Sequence, residues 1–252
     1  EQRLRAADGE RRNEDRAATR GGVADHAAQH VLGIAVGVVA VDHPTITAAV
    51  AELKERGAPV FSLLSDLASG VRESYVGLNN RKAGRTAAWM IGRTAAKPGK
   101  VAVFVGSHRF HGHEMREIGL RSYFREVAPQ FEVLDTLVNL EESSLAHEAT
   151  LDLVQRHPDL VGLYVAGGGM EGVISALREE NTAGRIVGVC HEITADSRSA
   201  LADNIMTTVI ATPIERLSRE LVGLMARAIE AGAAEIPGQT FLPFDIYVSE
   251  NI

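Results

Sequence analysis

The segment GGGMEG (167–172) sets Gly167, Gly169 and Gly172 at G-x-G-x-x-G spacing, after an apolar run and at the start of an amphipathic one. Glu192 lies 20 residues beyond Gly172, at the end of the next apolar run. In dinucleotide-binding turns such glycines admit a pyrophosphate at a helix N-terminus, and the acid holds a ribose hydroxyl. This segment sits in mid-chain behind several similar units. Gly-rich turns also form wherever a backbone must turn tightly or approach any ligand. Spacing alone leaves both readings open: an NAD(P)-dependent oxidoreductase, or a ligand-facing or structural turn.

Three further groups carry polar chemistry. HGHE (111–114) places His111 and His113 two apart, but no further His or Cys nearby completes a zinc set, so the reading is a polar loop or a hydrogen-bonding site without metal. Cys190 and His191 are adjacent at the end of a strand, which points them to opposite faces and speaks against a nucleophile–base pair. Arg116 falls on the first turn of a helix after a strand, and Glu192 follows another strand. Ligands of open α/β sheets sit outside the carboxyl ends of the strands. There a guanidinium fork and a carboxylate suit a polyol or sugar acid, or else form a surface ion pair. No G-x-S-x-G, G-x-x-x-x-G-K-[ST] or H-E-x-x-H occurs, so serine-hydrolase, P-loop and zincin chemistry lack support.

The elements that must position these groups alternate along the chain. From residue 31 the runs 31–41, 59–66, 100–106, 131–138 and 160–166 read as buried strands. Between them, PTITAAVAELKERG with Pro44 early, 79–95 with an Asn start, 113–127 and 143–157 read as helices, as does 170–180 after the last of these strands. RIVGVC, TADSRSALAD, IMTTVI, IERLSRELVGLMARAIEAG and TFLPFDIYV continue the pattern. Apolar strands alternating with amphipathic helices predict βαβ units and a mainly parallel sheet covered on both faces. The Pro-Gly break KPGK (97–100) is the best internal boundary. Residues 9–30 hold one Val and no Leu, Ile or aromatic, so 1–30 reads as a polar, partly disordered lead.

The whole-chain numbers narrow the class. At 252 residues with 45% hydrophobic and 23% charged residues, the composition is globular. A net charge of −7 argues against a surface built to grip nucleic acid. No apolar run approaches the ~20 residues of a membrane span, and the N-terminal stretch does not read as a secretory signal. The single cysteine, Cys190, fits a reducing compartment, so a cytoplasmic location is expected.

Read together, ERGAPVFSLLSD (55–66), YVGLNNRKAGRTAA (75–88), KVAVFVGSHRFHGHEMREIGLRSYF (100–124), HPDLVGLYVAGGGMEGVISAL (157–177), RIVGVCHEI (185–193) and IMTTVIATPIERLSRELVGLM (205–225) resemble the ligand-binding domain of the lactose repressor (LacI/GalR) family of transcription regulators. The likeness covers about residues 31–252. It implies two doubly wound parallel α/β subdomains of periplasmic-binding-protein type, with an effector in the cleft between them. The expected N-terminal subdomain is 31–98 plus about 212–238, and the C-terminal one 99–211 plus about 239–252.

Carried over position by position, the resemblance makes Asn79 the counterpart of an acidic ligand contact and Arg116 that of the effector-binding arginine. Gly167 stands where the family often has Asn or Asp, and Ala211 replaces a common polar residue. Glu192, with His191 beside it, matches the aspartate of a G-x-D pattern. Asp66, Asn79, His111, Arg116, Gly167, His191 and Glu192 are therefore the expected ligand-binding set, with no metal and no cofactor. The resemblance implies a non-enzymatic sensor of a sugar or sugar acid, a homodimer in which helix 44–56 lies in the dimer surface, and DNA contact only through a helix-turn-helix upstream. EQRLRAAD reads as the end of the family's first helix, which places the first strand upstream as well. The alternatives are a sugar-binding protein of a transporter and the NAD(P)-dependent enzyme above.

Overall fold

The computed structural model describes residues 33–67, 70–232 and 237–252. The expectations for the 1–30 lead and for the first helix lie outside the described residues.

Two sheets are present. In the first, β1 (Val36–Val38), β2 (Val60–Leu63), β3 (Ser74–Leu78) and β10 (Gly238–Leu242) run parallel in that order. Helix α1 (Pro44–Glu55) links β1 to β2, and its Val50 packs with Val36, Val38 and Val60 on one face. Helix α7 (Ile214–Ala231) covers the other face, with Leu217 against Val76, Leu78 and Leu242.

The second sheet is built from β4 (Lys100–Val105), β7 (Leu160–Val165), β8 (Val187–His191) and β9 (Thr208–Ala211), all parallel, with β11 (Asp245–Tyr247) added antiparallel to β9. β5 (Glu132–Val133) and β6 (Leu137–Val138) both pair with the free edge of β4. The sequence predicts one strand over 131–138. It is broken because Arg121 takes the Leu134 carbonyl (2.9 Å) and the Thr136 hydroxyl (2.6 Å) between the two halves.

Side chains alternate along each strand of the second sheet, as a sheet buried on both faces requires. Val101, Val103 and Val105 meet α2 (Asn80–Thr94) and α3 (His111–Val127). Ala102 and Phe104 meet the layer of α4 (Ser143–Arg156), α5 (Met170–Glu179) and α6 (Ala195–Ala202). The long buried helix α2 thus belongs to the second lobe, against the expectation that 79–98 lies in the first. The chain crosses between lobes at Asn79, directly after β3, because Ala83, Ala87, Ala88 and Ile91 are buried against the second sheet. It crosses back between β9 and α7, and again between β10 and β11. Residues 239–242 hydrogen-bond to β3 in the first lobe, where the sequence reading places them in the second.

The α2–α3 contact is close because it is made by glycines. A Cβ on Gly84 would fall 1.8 Å from the Arg116 carbonyl oxygen, and one on Gly119 would fall 2.3 Å from that of Arg81. The two helices touch backbone to backbone, and this brings Arg116 beside Asn80.

Candidate functional site

A cavity of about 290 Å³ lies between the lobes, lined by Leu64 and Ser65 from the first and by His113, Arg116, Gly167, His191 and Glu192 from the second. The lobes are bridged around it by backbone and side-chain hydrogen bonds. Gly112 N donates to Ser65 Oγ (3.1 Å), Asp42 N to the Arg109 carbonyl (2.7 Å), and Asn80 Nδ2 to the Leu64 carbonyl (3.0 Å).

Arg116 is the charge at the floor. Its side chain is buried, with Nε donating to Asn80 Oδ1 (2.8 Å) and Nη1 to the Ala166 carbonyl (2.8 Å). Both partners are neutral, and among the described residues no carboxylate forms an ion pair with it. A guanidinium has five N–H donors, so a group entering the cleft can still be held.

Two imidazoles and a phenol surround this cation. His191 Nε2 lies 2.7 Å from the Tyr164 hydroxyl, and both residues are buried. Burial, then the charge of Arg116, holds His191 well below the ordinary histidine range, and the same two causes bring His113 down to about 4. Both rings are neutral at pH 7 and serve as hydrogen-bonding groups. His113 occupies the space beside Gly167: a Cβ at 167 would meet its Cε1 at 2.6 Å. The side chain expected at 167 from the family pattern is thus replaced by a ring arriving from α3.

The Glu192 carboxylate accepts from Thr212 N (2.9 Å) and Thr212 Oγ1 (2.7 Å), which ties the cleft wall to the β9–α7 crossover. Leu64, Glu141 and Glu192 all line the cavity with left-handed backbones, at φ 62°, 64° and 64°. Such strain in non-glycine residues costs on the order of 1–3 kcal/mol each and concentrates at ligand clamps.

Of the residues expected from the sequence, the structure brings Arg116, Gly167, His191 and Glu192 together in this cavity. Asp66, Asn79 and His111 line a separate hollow of about 270 Å³ with Tyr75, Arg81 and Phe241. Asp66 is taken up by Arg72, which donates to it through both Nε and Nη2, and by Ser62 Oγ (2.7 Å). Asn79 caps α2 by accepting from Lys82 N (3.0 Å). His111 is half exposed and lies 3.4 Å from Glu114. In HGHE it is His113 that enters the cleft, because α3 begins at His111 and turns the two rings apart. The sequence reading missed Asn80, His113, Glu141 and Tyr164; only the doubled Asn of YVGLNN and the second His of HGHE signalled any of them.

The glycine turn has its own anion. Gly168 N faces Glu141 Oε1 (3.3 Å) and the Gly168 carbonyl accepts from Asn139 Nδ2 (2.8 Å), so a side-chain carboxylate occupies the start of α5 where a pyrophosphate would sit. Gly172 serves packing, since a Cβ there would lie 1.9 Å from the Ser143 carbonyl. Burial pushes the Cys190 thiol up to about 12, which leaves no thiolate for catalysis.

Two lobes joined by three crossings, with a cleft of mixed apolar and polar lining between them, define a bilobal binding protein. The chain belongs to the periplasmic binding protein domain family, whose model matches residues 11–233. Its fold is similar to GanP, a glucose-galactose binding protein from Geobacillus stearothermophilus (TM-score 0.78, 16% identity, covering 90% of this chain and 80% of that one). It is similar also to the sugar-binding protein of a sugar ABC transporter from Bacillus halodurans (TM-score 0.77, 20% identity, 85% and 77%). A third is a periplasmic solute-binding protein of an ABC transporter from Actinobacillus succinogenes with bound D-allose (TM-score 0.76, 20% identity, 86% and 78%). A search of curated proteins finds no match.

Proposed function

We propose that the inter-lobe cleft binds a small polyhydroxylated solute, a sugar or sugar acid, without transforming it, in the manner of a transport-type solute-binding protein. The observation that carries this reading is Arg116: a buried guanidinium without a carboxylate partner among the described residues, facing a solute-sized cavity between two lobes. The similar folds named above support it, since they include sugar-binding proteins of transporters and one with D-allose bound. The lactose-repressor reading, with its cytoplasmic homodimer reaching DNA through an upstream segment, rests on sequence motifs alone and shares the same cleft.

The test is a thermal-shift screen of sugars, sugar acids and NAD(P), followed by calorimetry. A ligand at 100 times its Kd raises stability by about 2.7 kcal/mol. Arg116→Ala should weaken binding by roughly tenfold to a hundredfold, the worth of a charge-assisted contact, and Arg116→Lys should not restore it because an ammonium lacks the planar fork. Stabilisation by NAD(P) with no response to any sugar or sugar acid overturns the reading.

A further inference from the structure

Charge is segregated along the chain. Residues 74–113 hold seven of its 26 Lys and Arg and none of its 33 Asp and Glu, although the whole carries −7. Four of the seven lie on α2, at Arg81, Lys82, Arg85 and Arg93. Lys82, Arg85, Trp89 and Arg93 are three and four residues apart, so they share one side of the helix. That side is opposite Ala87, Ala88 and Ile91, which are buried against the second sheet. The stripe is therefore an outward ridge on a firmly packed helix, about 16 Å long from Lys82 to Arg93.

Arg85 is committed to α3, where its guanidinium donates to Ser122 Oγ (3.0 Å) and Glu126 (2.8 Å). Arg81, Lys82 and Arg93 are exposed, and none has a carboxylate partner among the described residues. Beside them Trp89, the only tryptophan of the chain, is 46% exposed. Its indole makes no hydrogen bond or ring contact among the described residues. Tryptophan is highly buried on average, and Trp and Arg are enriched among the residues that anchor protein interfaces.

We propose that this ridge docks an acidic α-helix of a partner protein, whose carboxylates meet Arg81, Lys82 and Arg93 and whose apolar side chains close over Trp89. A straight stripe with a three- and four-residue repeat matches the same repeat on a helix laid along it. A bilayer or a nucleic acid spreads negative charge over a wide face and would set it against the acidic remainder of the chain. A single helix touches the ridge alone, and charges beyond a screening length no longer count against it. The ridge lies outside the cleft, so this inference stands or falls separately from solute binding.

Trp89 reports on its own surface, since no other indole emits. The full chain is titrated with a synthetic amphipathic helix of about 20 residues, carrying Glu along one side and Leu at its centre, and with the same peptide bearing Gln for Glu. The expected result is a blue shift of Trp89 emission with the Glu peptide only. Its affinity should fall at least about tenfold as ionic strength rises from ~0.01 M to ~0.15 M, where the Debye length shrinks from ~30 Å to ~8 Å. By calorimetry, Arg93→Glu and Trp89→Ala should each weaken binding at least about tenfold. Arg125→Glu, at an exposed residue that lines a separate hollow with Phe131 and Val133, should change it by less than about twofold. Equal binding of the Gln peptide, a loss in Arg125→Glu as large as in Arg93→Glu, or no binding of either peptide overturns the inference. So does an emission shift produced by phosphatidylglycerol vesicles, by duplex DNA or by concentrating the protein alone, in place of one produced by the Glu peptide.

Discussion

The Asn80 side chain accepts from Arg116 Nε through Oδ1 (2.8 Å) and, through Nδ2, donates to the carbonyl of Leu64 (3.0 Å). One amide therefore joins the cation at the cleft floor in the second lobe to a left-handed residue on the wall of the first. A ligand that draws on Arg116 also bears on the contact that sets one lobe against the other.

Substitution at this amide separates the two roles. Asn80→Ala removes both bonds, and a third from Nδ2 to the Tyr75 hydroxyl (3.2 Å), from a buried position and should cost about 1–3 kcal/mol of stability. It should also weaken solute binding, because the guanidinium is then held through the Ala166 carbonyl alone. Asn80→Asp keeps an acceptor for Arg116 but sets a carboxylate against the Leu64 carbonyl, and its charge pairs with Arg116. Binding of an acidic solute should fall at least tenfold in that variant, as measured by calorimetry. Unchanged affinity in both variants would reduce Asn80 to a packing residue.

The helix contact behind this arrangement predicts a result opposite to helix propensity. Gly→Ala within a helix ordinarily gains about 1 kcal/mol. At Gly84 the new methyl would fall 1.8 Å from the backbone oxygen of Arg116, where no side chain can yield. Gly84→Ala should therefore destabilise by about 3 kcal/mol or more and displace Arg116 from Asn80. Urea denaturation with a solute titration on the folded fraction checks both effects. A neutral or stabilising outcome would mean that α2 and α3 pack less closely than described.

Much of this was legible in the sequence, and the gaps have physical causes. The βαβ alternation predicted both the helices and the doubly covered sheet, because strand and helix periods differ. YVGLNNRKAGRTAA (75–88) and KVAVFVGSHRFHGHEMREIGLRSYF (100–124) stood out as motifs of the family resemblance. What they share, a glycine contact between two helices that holds the arginine to the asparagine, is a tertiary fact that neither motif states alone. The crossover at Asn79 was missed for the same reason: nothing local in the α2 sequence says which sheet will bury Ala83 and Ile91. Asp66 stood in the expected ligand-binding set, because its partner Arg72 becomes an ion-pair fork only once the chain after β2 folds back. His113 was passed over for His111 because the helix start, which has no side-chain cap, gave no signal of its phase.

Asp66 provides the control for that correction. Burial alone would raise its pKa, but the hydrogen bonds from Arg72 and Ser62 more than offset this, so it is held below the ordinary aspartate value. Asp66→Ala leaves the buried Arg72 unpaired and should cost about 3–5 kcal/mol. Solute affinity of the folded protein should change by less than about twofold, since Asp66 does not line the cleft. A tenfold loss of affinity without loss of stability would return Asp66 to the binding site.

The two neutral imidazoles make stability depend on pH in a defined direction. His113 is brought from an ordinary value near 6.5 to about 4, and His191 is lowered as well, in both cases by burial and then by the charge of Arg116. Between pH 6.5 and 4 the unfolded chain binds the protons that the folded one refuses, so stability rises with pH across that window. The contribution is complete above pH 6.5 and is lost as the pH falls toward 4. At about 1.4 kcal/mol per pKa unit, His113 accounts for a loss on the order of 3 kcal/mol, and His191 adds to it with the same sign. Asp66, whose folded value is depressed below 3.8, contributes only at still lower pH and does not blur the window. Chemical denaturation at pH 7, 5.5 and 4.5 should show the midpoint falling steadily, and His113→Gln should flatten the slope because a glutamine does not titrate. A midpoint independent of pH from 7 to 4.5 would show that these rings accept protons in the folded state, and the assignment of neutral hydrogen-bonding imidazoles to the cleft would fail.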